Sequence, residues 1–255
     1  MKNLLFGMKA GGGLVAALIG SGLALAQAPG GRGPVGITGA MTRLFGPNRE
    51  FTAKAEVIVR DKTGREVSGM PMDFSLHGNQ IRVELDQTKG TGAAKPPPAI
   101  GERLKIIGMA RLITIIRPDK NLTVTIFPDQ KAYLSAPLPE GEGATAKQPK
   151  ITKTPLGKET LDGHPCVKYK VVITDDKGHT LEPTTWEATD MKDFPIQIQT
   201  TEDDSVSIVH FKQVQFSQPD PKLFEPPAGF TGYSDPQQLK DALDRKYQTA
   251  PPAQK

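Results

Sequence analysis

With one cysteine in 255 residues, Cys166, the chain has no partner for an internal disulfide, so its stability must come from a hydrophobic core. Metal-ligand spacing is missing too: His77, His164, His179 and His210 are scattered, three of them in or beside predicted turns. There is no phosphate-cradling glycine loop and no G-x-S-x-G elbow. No basic run is interleaved with aromatics, which argues against a nucleic-acid partner. Aromatic residues make up 6%, with a single tryptophan, Trp186. No central segment carries a long helical period, and no apolar run reaches the roughly 20 residues of a membrane span. Neither a catalytic residue, a metal site nor a cofactor is expected.

Acidic residues are absent before Glu50, whereas Lys2 and Lys9 precede an apolar stretch, Leu14 to Ile19 and Leu23 to Leu25. That stretch closes on Ala24-Leu25-Ala26. The pattern is that of a cleavable signal peptide over residues 1–26, with Gln27 as the new N-terminus and the periplasm or the exterior as destination. Residues 27–49, rich in Gly and Pro, read as a flexible leader. Removing Lys2 and Lys9 would lower the formal charge from +4 to about +2, too little to imply a polyanionic partner.

From Phe51 the texture changes to short alternating runs separated by turn chemistry. Phe51, Ala53, Ala55, Val57 and Val59 alternate with polar residues, the period-two mark of a half-buried strand. Further strands are expected at about 66–76, 80–86, 122–126 and 132–135, and four or five more follow residue 150. Asp162-Gly163 tolerates the positive φ of a tight hairpin turn. Leu104 to Ile116 is apolar on both faces and reads as one buried strand bent at Gly108, or two. The fold class is therefore mainly β: a strongly curved antiparallel sheet, an incomplete barrel of about 10–11 strands. One helix is expected at the C-terminus, over 234–248. Asp235 caps it, Pro236 sits in its first turn, and Leu239, Ala242, Leu243 and Tyr247 mark its apolar face. Residues 249–255 read as a disordered tail.

His164 and Cys166 share a strand face in this scheme, but no orienting group or oxyanion loop accompanies them. Cys166 reads better as a small buried hydrophobe with a slow-reacting thiol. Glu202-Asp203-Asp204 lacks the alternating ligands and bend glycine of a calcium loop and reads as a solvated turn. Apolar surface is the more telling feature. Ile113 and Ile115 lie in the two-faced run, while Trp186, Val209 and Phe211 fall opposite their strands' main apolar set or among polar neighbours. These five are the candidate ligand-binding residues of an apolar chamber. The bland alternative is that Pro-rich loops and the C-terminal helix cover the second face.

Four stretches carry a family resemblance: Ile81-Arg82-Val83-Glu84-Leu85; Ile113 to Lys120 continuing to Pro128–Tyr133; Leu156 to Thr160 through Gly163 to Lys170; and Leu223-Phe224-Glu225-Pro226-Pro227-Ala228-Gly229-Phe230. Over roughly 50–233 the chain resembles secreted bacterial domains related to the outer-membrane lipoprotein carrier (LolA/LppX-like) fold. The resemblance implies a curved half-barrel whose apolar concave face is partly roofed by helices or loops and holds acyl chains without chemistry. Where those carriers place roofing helices, this sequence has Pro/Gly-rich stretches at 88–101 and 137–150. The expected partners are a lipid or an acylated protein, with envelope proteins as a further class, and the expected state is a monomer. A cell-envelope interaction module with a filled interior is the alternative.

Overall fold

The computed structural model describes residues 41–139, 143, 148–175, 177–202 and 205–248. The expected signal peptide, the first part of the leader and the C-terminal tail lie outside the described residues. A single curved, open sheet organises the rest. Its strands are β1 (Glu50–Asp61), β2 (Glu66–His77), β3 (Gln80–Asp86), β4 (Thr91–Gly92), β5 (Arg111–Arg117), β6 (Leu122–Phe127), β7 (Ala132–Pro137), β8 (Lys150–Leu161), β9 (His164–Thr174), β10 (Thr180–Leu181), β11 (Thr184–Ala188), β12 (Phe194–Glu202), β13 (Ser205–Gln215) and β14 (Thr231–Tyr233). Three of these fourteen, β4, β10 and β14, have two or three residues, which leaves eleven longer strands.

Neighbours in the sheet run β10-β9-β11-β12-β13-β1-β2-β3-β5-β6-β7-β14, with β8 added to β9 and β4 to β2. Every pairing is antiparallel except β14 on β7. Tight turns make this possible. Asp162 and Gly163 take φ of 52° and 82° between β8 and β9, as their residue types allow. Asn121 and Lys131 adopt left-handed conformations after the Pro118–Lys120 and Pro128–Gln130 3-10 turns that link β5, β6 and β7.

Alternation sorts the side chains into two faces. On one, Phe51, Leu76, Ile81 and Ile116 lie in a row across four strands, and Ala53, Phe74, Val83 and Thr114 form the next. Phe211, Ala55, Met72, Leu85 and Leu112 make a third. These rows belong to the main core. The opposite face is polar at Lys54, Asp73 and Glu84, which are in register across β1–β3, and apolar at Ile113 and Ile126 on β5 and β6 and at the Ile58–Ile208 pair of β1 and β13.

Residues 98–116 depart from the expectation. Instead of one bent strand or two, the segment contains helix α1 (Pro98–Ile106), a turn at Gly108 with φ 63°, and then β5. Pro98 starts the helix with its fixed φ, and Ile100, Leu104 and Ile107 follow at spacings of four and three, a helical stripe. The second helix, α2 (Pro236–Gln248), begins as expected, with the Asp235 carboxylate accepting the Gln237 N–H at 2.8 Å. Ahead of β1, Met41–Phe45 form a 3-10 turn inside the stretch expected to be leader, and Leu44 and Phe45 are buried.

Candidate functional site

The inner face of the sheet is roofed by three short, separate pieces. Leu44 and Phe45 come from the 3-10 turn; Leu104, Ile107 and Met109 come from α1 and the turn after it; Leu239 and Leu243 come from α2. All are buried in one cluster with the inner rows of the sheet. At its centre five phenylalanines meet. The Phe45 ring lies 5.0 Å from Phe51, 5.5 Å from Phe194 and 5.4 Å from Phe211, while Phe74 approaches Phe211 edge-on at 5.3 Å. Three of these contacts are tilted or T-shaped and Phe45–Phe194 is stacked, with most of the geometry suiting the ring quadrupoles.

Toward β9 and β11 the inner face becomes polar. Thr185 is opposite Ile198 on one side and Tyr169 on the other, which places it and Glu187 on that face. Glu187 is 5% exposed, and its carboxylate accepts from Lys153 Nζ at 2.5 Å and from Thr185 Oγ1 at 3.0 Å. The Lys153 ammonium also lies 5.7 Å from the Tyr169 ring centroid. Both donors compensate the hydration that the carboxylate loses on burial.

The structure distributes the five residues singled out from the sequence over two clusters. Val209 and Phe211 stand on the inner face, opposite Val57 and Ala55. Trp186 also packs into the main core, but its register neighbours are Lys168 and Gln197, and Gln197 pairs with His210 of the other face. Its ring is held there by Nε1 donating to Glu159 at 2.6 Å and by the Lys168 ammonium 4.5 Å above it. Ile113 and Ile115 are on the outer face, in a second cluster with Val124, Ile126 and Phe224. Phe230 packs against that cluster from the proline-rich segment after β13, so this loop covers the second apolar face of β5.

An ionic latch fastens that cover. Arg117, whose side chain is 8% exposed, donates to Asp119 Oδ2 at 2.6 Å, to the Phe224 carbonyl at 3.0 Å and to Glu225. Lys120 reaches Glu225 at 2.9 Å. Hydrogen bonding from Arg117 holds the Asp119 carboxyl below its ordinary range, and Lys120 together with Arg117 does the same for Glu225. A groove of about 300 Å³ opens nearby, between Lys54, Pro71, Asp73, Glu84, Lys89 and Arg111. Its walls carry the Lys54–Asp73 and Arg111–Glu84 ion pairs beside the apolar side chains of Ala55, Met72 and Leu85.

Nucleophilic chemistry finds no support around Cys166. The thiol is 2% exposed and donates to the His164 carbonyl at 3.4 Å, while the His164 ring pairs with Asp190. Burial pushes the Cys166 thiol up, away from the reactive thiolate. The other three histidine rings are likewise each paired with a carboxylate: His77 with Glu50, His179 with Asp175, and His210 with Asp162. Among the described residues no group of three or more metal-ligating side chains converges.

Of the roof, the sequence reading missed α1 and the Met41–Phe45 turn, whereas α2 with Leu239 and Leu243 was expected. The Ile100, Leu104, Ile107 spacing was a readable signal for α1, whereas nothing local marks Leu44 and Phe45 as buried. The arrangement defines an open, strongly curved sheet whose apolar inner face is closed by short segments. Among solved structures the chain is similar to a LolA superfamily protein from Nitrosomonas europaea, at 11% identity and TM-score 0.40, covering 73% of this chain and 94% of that one. It is also similar to the lipoprotein LppX from Mycobacterium tuberculosis, at 11% identity and TM-score 0.36, covering 80% and 97%. A third is LprF from Mycobacterium bovis, at 12% identity and TM-score 0.34, covering 72% and 95%. No family model and no curated protein matches the chain.

Proposed function

We propose that this is an exported, non-catalytic binding protein that holds the acyl chain of a lipid, an acylated protein or another amphiphile against the inner face of its sheet. The observation that carries the reading is the construction of the roof. A permanent core is usually closed by a second sheet or long helices, but here it is closed by a 3-10 turn, a nine-residue helix and a terminal helix. Each contributes only two or three buried side chains, so any one can leave without dismantling the sheet. Val209 and Phe211 form part of the surface so exposed. Trp186 packs into the same core cluster, and Ile113 and Ile115 lie in the separate outer cluster.

Burying ten methylenes would contribute about 8 kcal/mol by transfer. Displacing a roof segment and ordering the ligand subtract several kcal/mol, leaving about 4–5 kcal/mol, which corresponds to a Kd of about 0.2–1 mM. Titration of the delipidated protein with a fluorescent fatty acid, with native mass spectrometry for stoichiometry, should give one saturable site per chain. Absence of saturable binding to fatty acid, phospholipid and acylated peptide would overturn the reading.

One observation favours the alternative, an envelope interaction module with a filled interior. The five phenylalanine rings already contact one another at 4.9–6.2 Å. Lipid extracted from natively purified protein distinguishes the two. For location, no helix among the described residues is long and apolar enough to cross a membrane.

A further inference from the structure

The two ends of the sheet are finished differently. At one end β14 is three residues long, runs parallel to β7 and leads directly into α2, so little open edge remains. At the other end β8 has twelve residues, ten of them exposed, and among the described residues it pairs only with β9. An unpaired edge of that length presents a row of free N–H and C=O groups that can template another strand.

Charge around this edge is unbalanced. The carboxylates of the β8–β9 hairpin are occupied: Glu159 by Trp186 Nε1 and Lys168, and Asp162 by His210. Nearby, Glu182 is taken by Lys170. Lys153 is turned inward to Glu187. Among the described residues Lys150 and Lys158 have no ionic partner, and they stand toward opposite ends of the strand. Self-addition is disfavoured, because antiparallel pairing of β8 with its own copy about its middle sets Lys153 near Lys158, and like charges opposite one another repel. Pro155 and the bulge between Pro155 and Gly157, with Leu156 as the extra residue, interrupt the edge further. These devices discourage promiscuous pairing and leave one kind of partner favoured.

We infer that the outer edge of β8 is a docking edge for an extended, acidic segment of another polypeptide, which adds as a further strand and places its carboxylates beside Lys150 and Lys158. Backbone hydrogen bonds supply the attachment and the two lysines select the sign of the partner. The inference does not depend on lipid binding, because β8 lies at the sheet margin and takes no part in the roof.

The test uses the full chain and a fluorescein-labelled twelve-residue peptide in which pairs of glutamates alternate with pairs of valines, because the bulge sets Lys150 and Lys158 on opposite faces and the added strand must carry carboxylates on both. One control carries lysine for glutamate, and another keeps the acidic composition but has two internal prolines that forbid strand addition. Fluorescence anisotropy should show saturable binding of the acidic peptide, at least tenfold weaker for either control. The doubly reversed variant Lys150→Glu/Lys158→Glu should lose at least tenfold in affinity, and amide exchange across residues 150–160 should slow when peptide is bound. Both substitutions are at exposed positions, and a circular dichroism spectrum matching the parent establishes that the variant is folded. If the variant misfolds, the proline control still decides. Equal binding of the proline-interrupted peptide, or no saturable binding, refutes the inference. Concentration-dependent dimers with β8 protected in the absence of peptide also refute it, and assign the edge to a second copy.

Discussion

Phe45 offers the sharpest test of the roofed inner face. Its side chain is fully buried, and four phenylalanine rings lie within 6.0 Å of its centroid, on β1, β2, β13 and at the start of β12. Truncation to alanine removes the ring but leaves its neighbours anchored to the sheet, where they have little freedom to collapse into the space. Phe→Ala changes at such sites cost about 3–5 kcal/mol, the sum of lost transfer energy and the void left behind. For a folded unit of 150–250 residues each kcal/mol shifts the melting temperature by about 2–4 °C, so Phe45→Ala should lower it by roughly 6–20 °C. Urea unfolding at 25 °C should show the loss as a lower midpoint with an unchanged slope. The same substitution should strengthen fatty-acid binding, because the acyl chain no longer has to displace the ring. A loss below about 1 kcal/mol would mean that Met41–Phe45 do not dock in solution, and the roof argument would fail with it. A large loss of stability with no gain in binding would favour the filled-interior module.

Leu239→Ala should cost about 2–5 kcal/mol, since Leu239 is fully buried under α2; an unchanged urea midpoint would show that the helix does not dock. The Arg117 latch gives stability a pH signature. Asp119 and Glu225 have folded-state pKa values below their unfolded ones, so their contribution is complete above the ordinary carboxylate range. It fades as pH falls through the depressed values. Both carboxylates are nearly half exposed, so solvent screening keeps the effect modest. Arg117→Met should destabilise by about 1–3 kcal/mol at pH 7 through lost charged hydrogen bonds and flatten the acid limb below about pH 4. An acid limb identical to the parent's would refute the latch. Cys166 should react slowly with a thiol reagent in native buffer and rapidly in denaturant, and fast native labelling would contradict its burial.

Much of the sheet was legible because strand signals are local. Period-two alternation in β1 and the Asp162-Gly163 turn specify backbone conformations through neighbours a few residues apart. Eleven longer strands against an expected ten or eleven follow from that, as do the Asp235 cap and the burial of Leu239 and Leu243. Helix α1 was overlooked because its apolar residues merge with those of β5 into one run, and only the Ile100, Leu104, Ile107 spacing separates the two periods.

Facing is another matter. From sequence, Val206, Ile208, Val214 and Phe216 looked like the buried set of β13, with Val209 and Phe211 as the odd face. In the fold Val209 and Phe211 lie in the main core, Ile208 is buried on the other face as expected, and Phe216 is 38% exposed. The strand is offset by irregular pairing with β1 near Thr52 and Lys54 and by positive φ at Gln213. A strand whose two faces are both partly apolar does not encode its own orientation, because a one-residue shift exchanges them and only the partner strands select the register. The two-faced apolarity of β5 shows the same limit. The sequence established that both faces of Ile113–Ile116 must be covered. Only the tertiary structure decided that α1 and its neighbours cover one and Phe224 and Phe230 the other, because the second cover reaches β5 through contacts more than 100 residues apart, where loop closure and packing act and local preference has no influence.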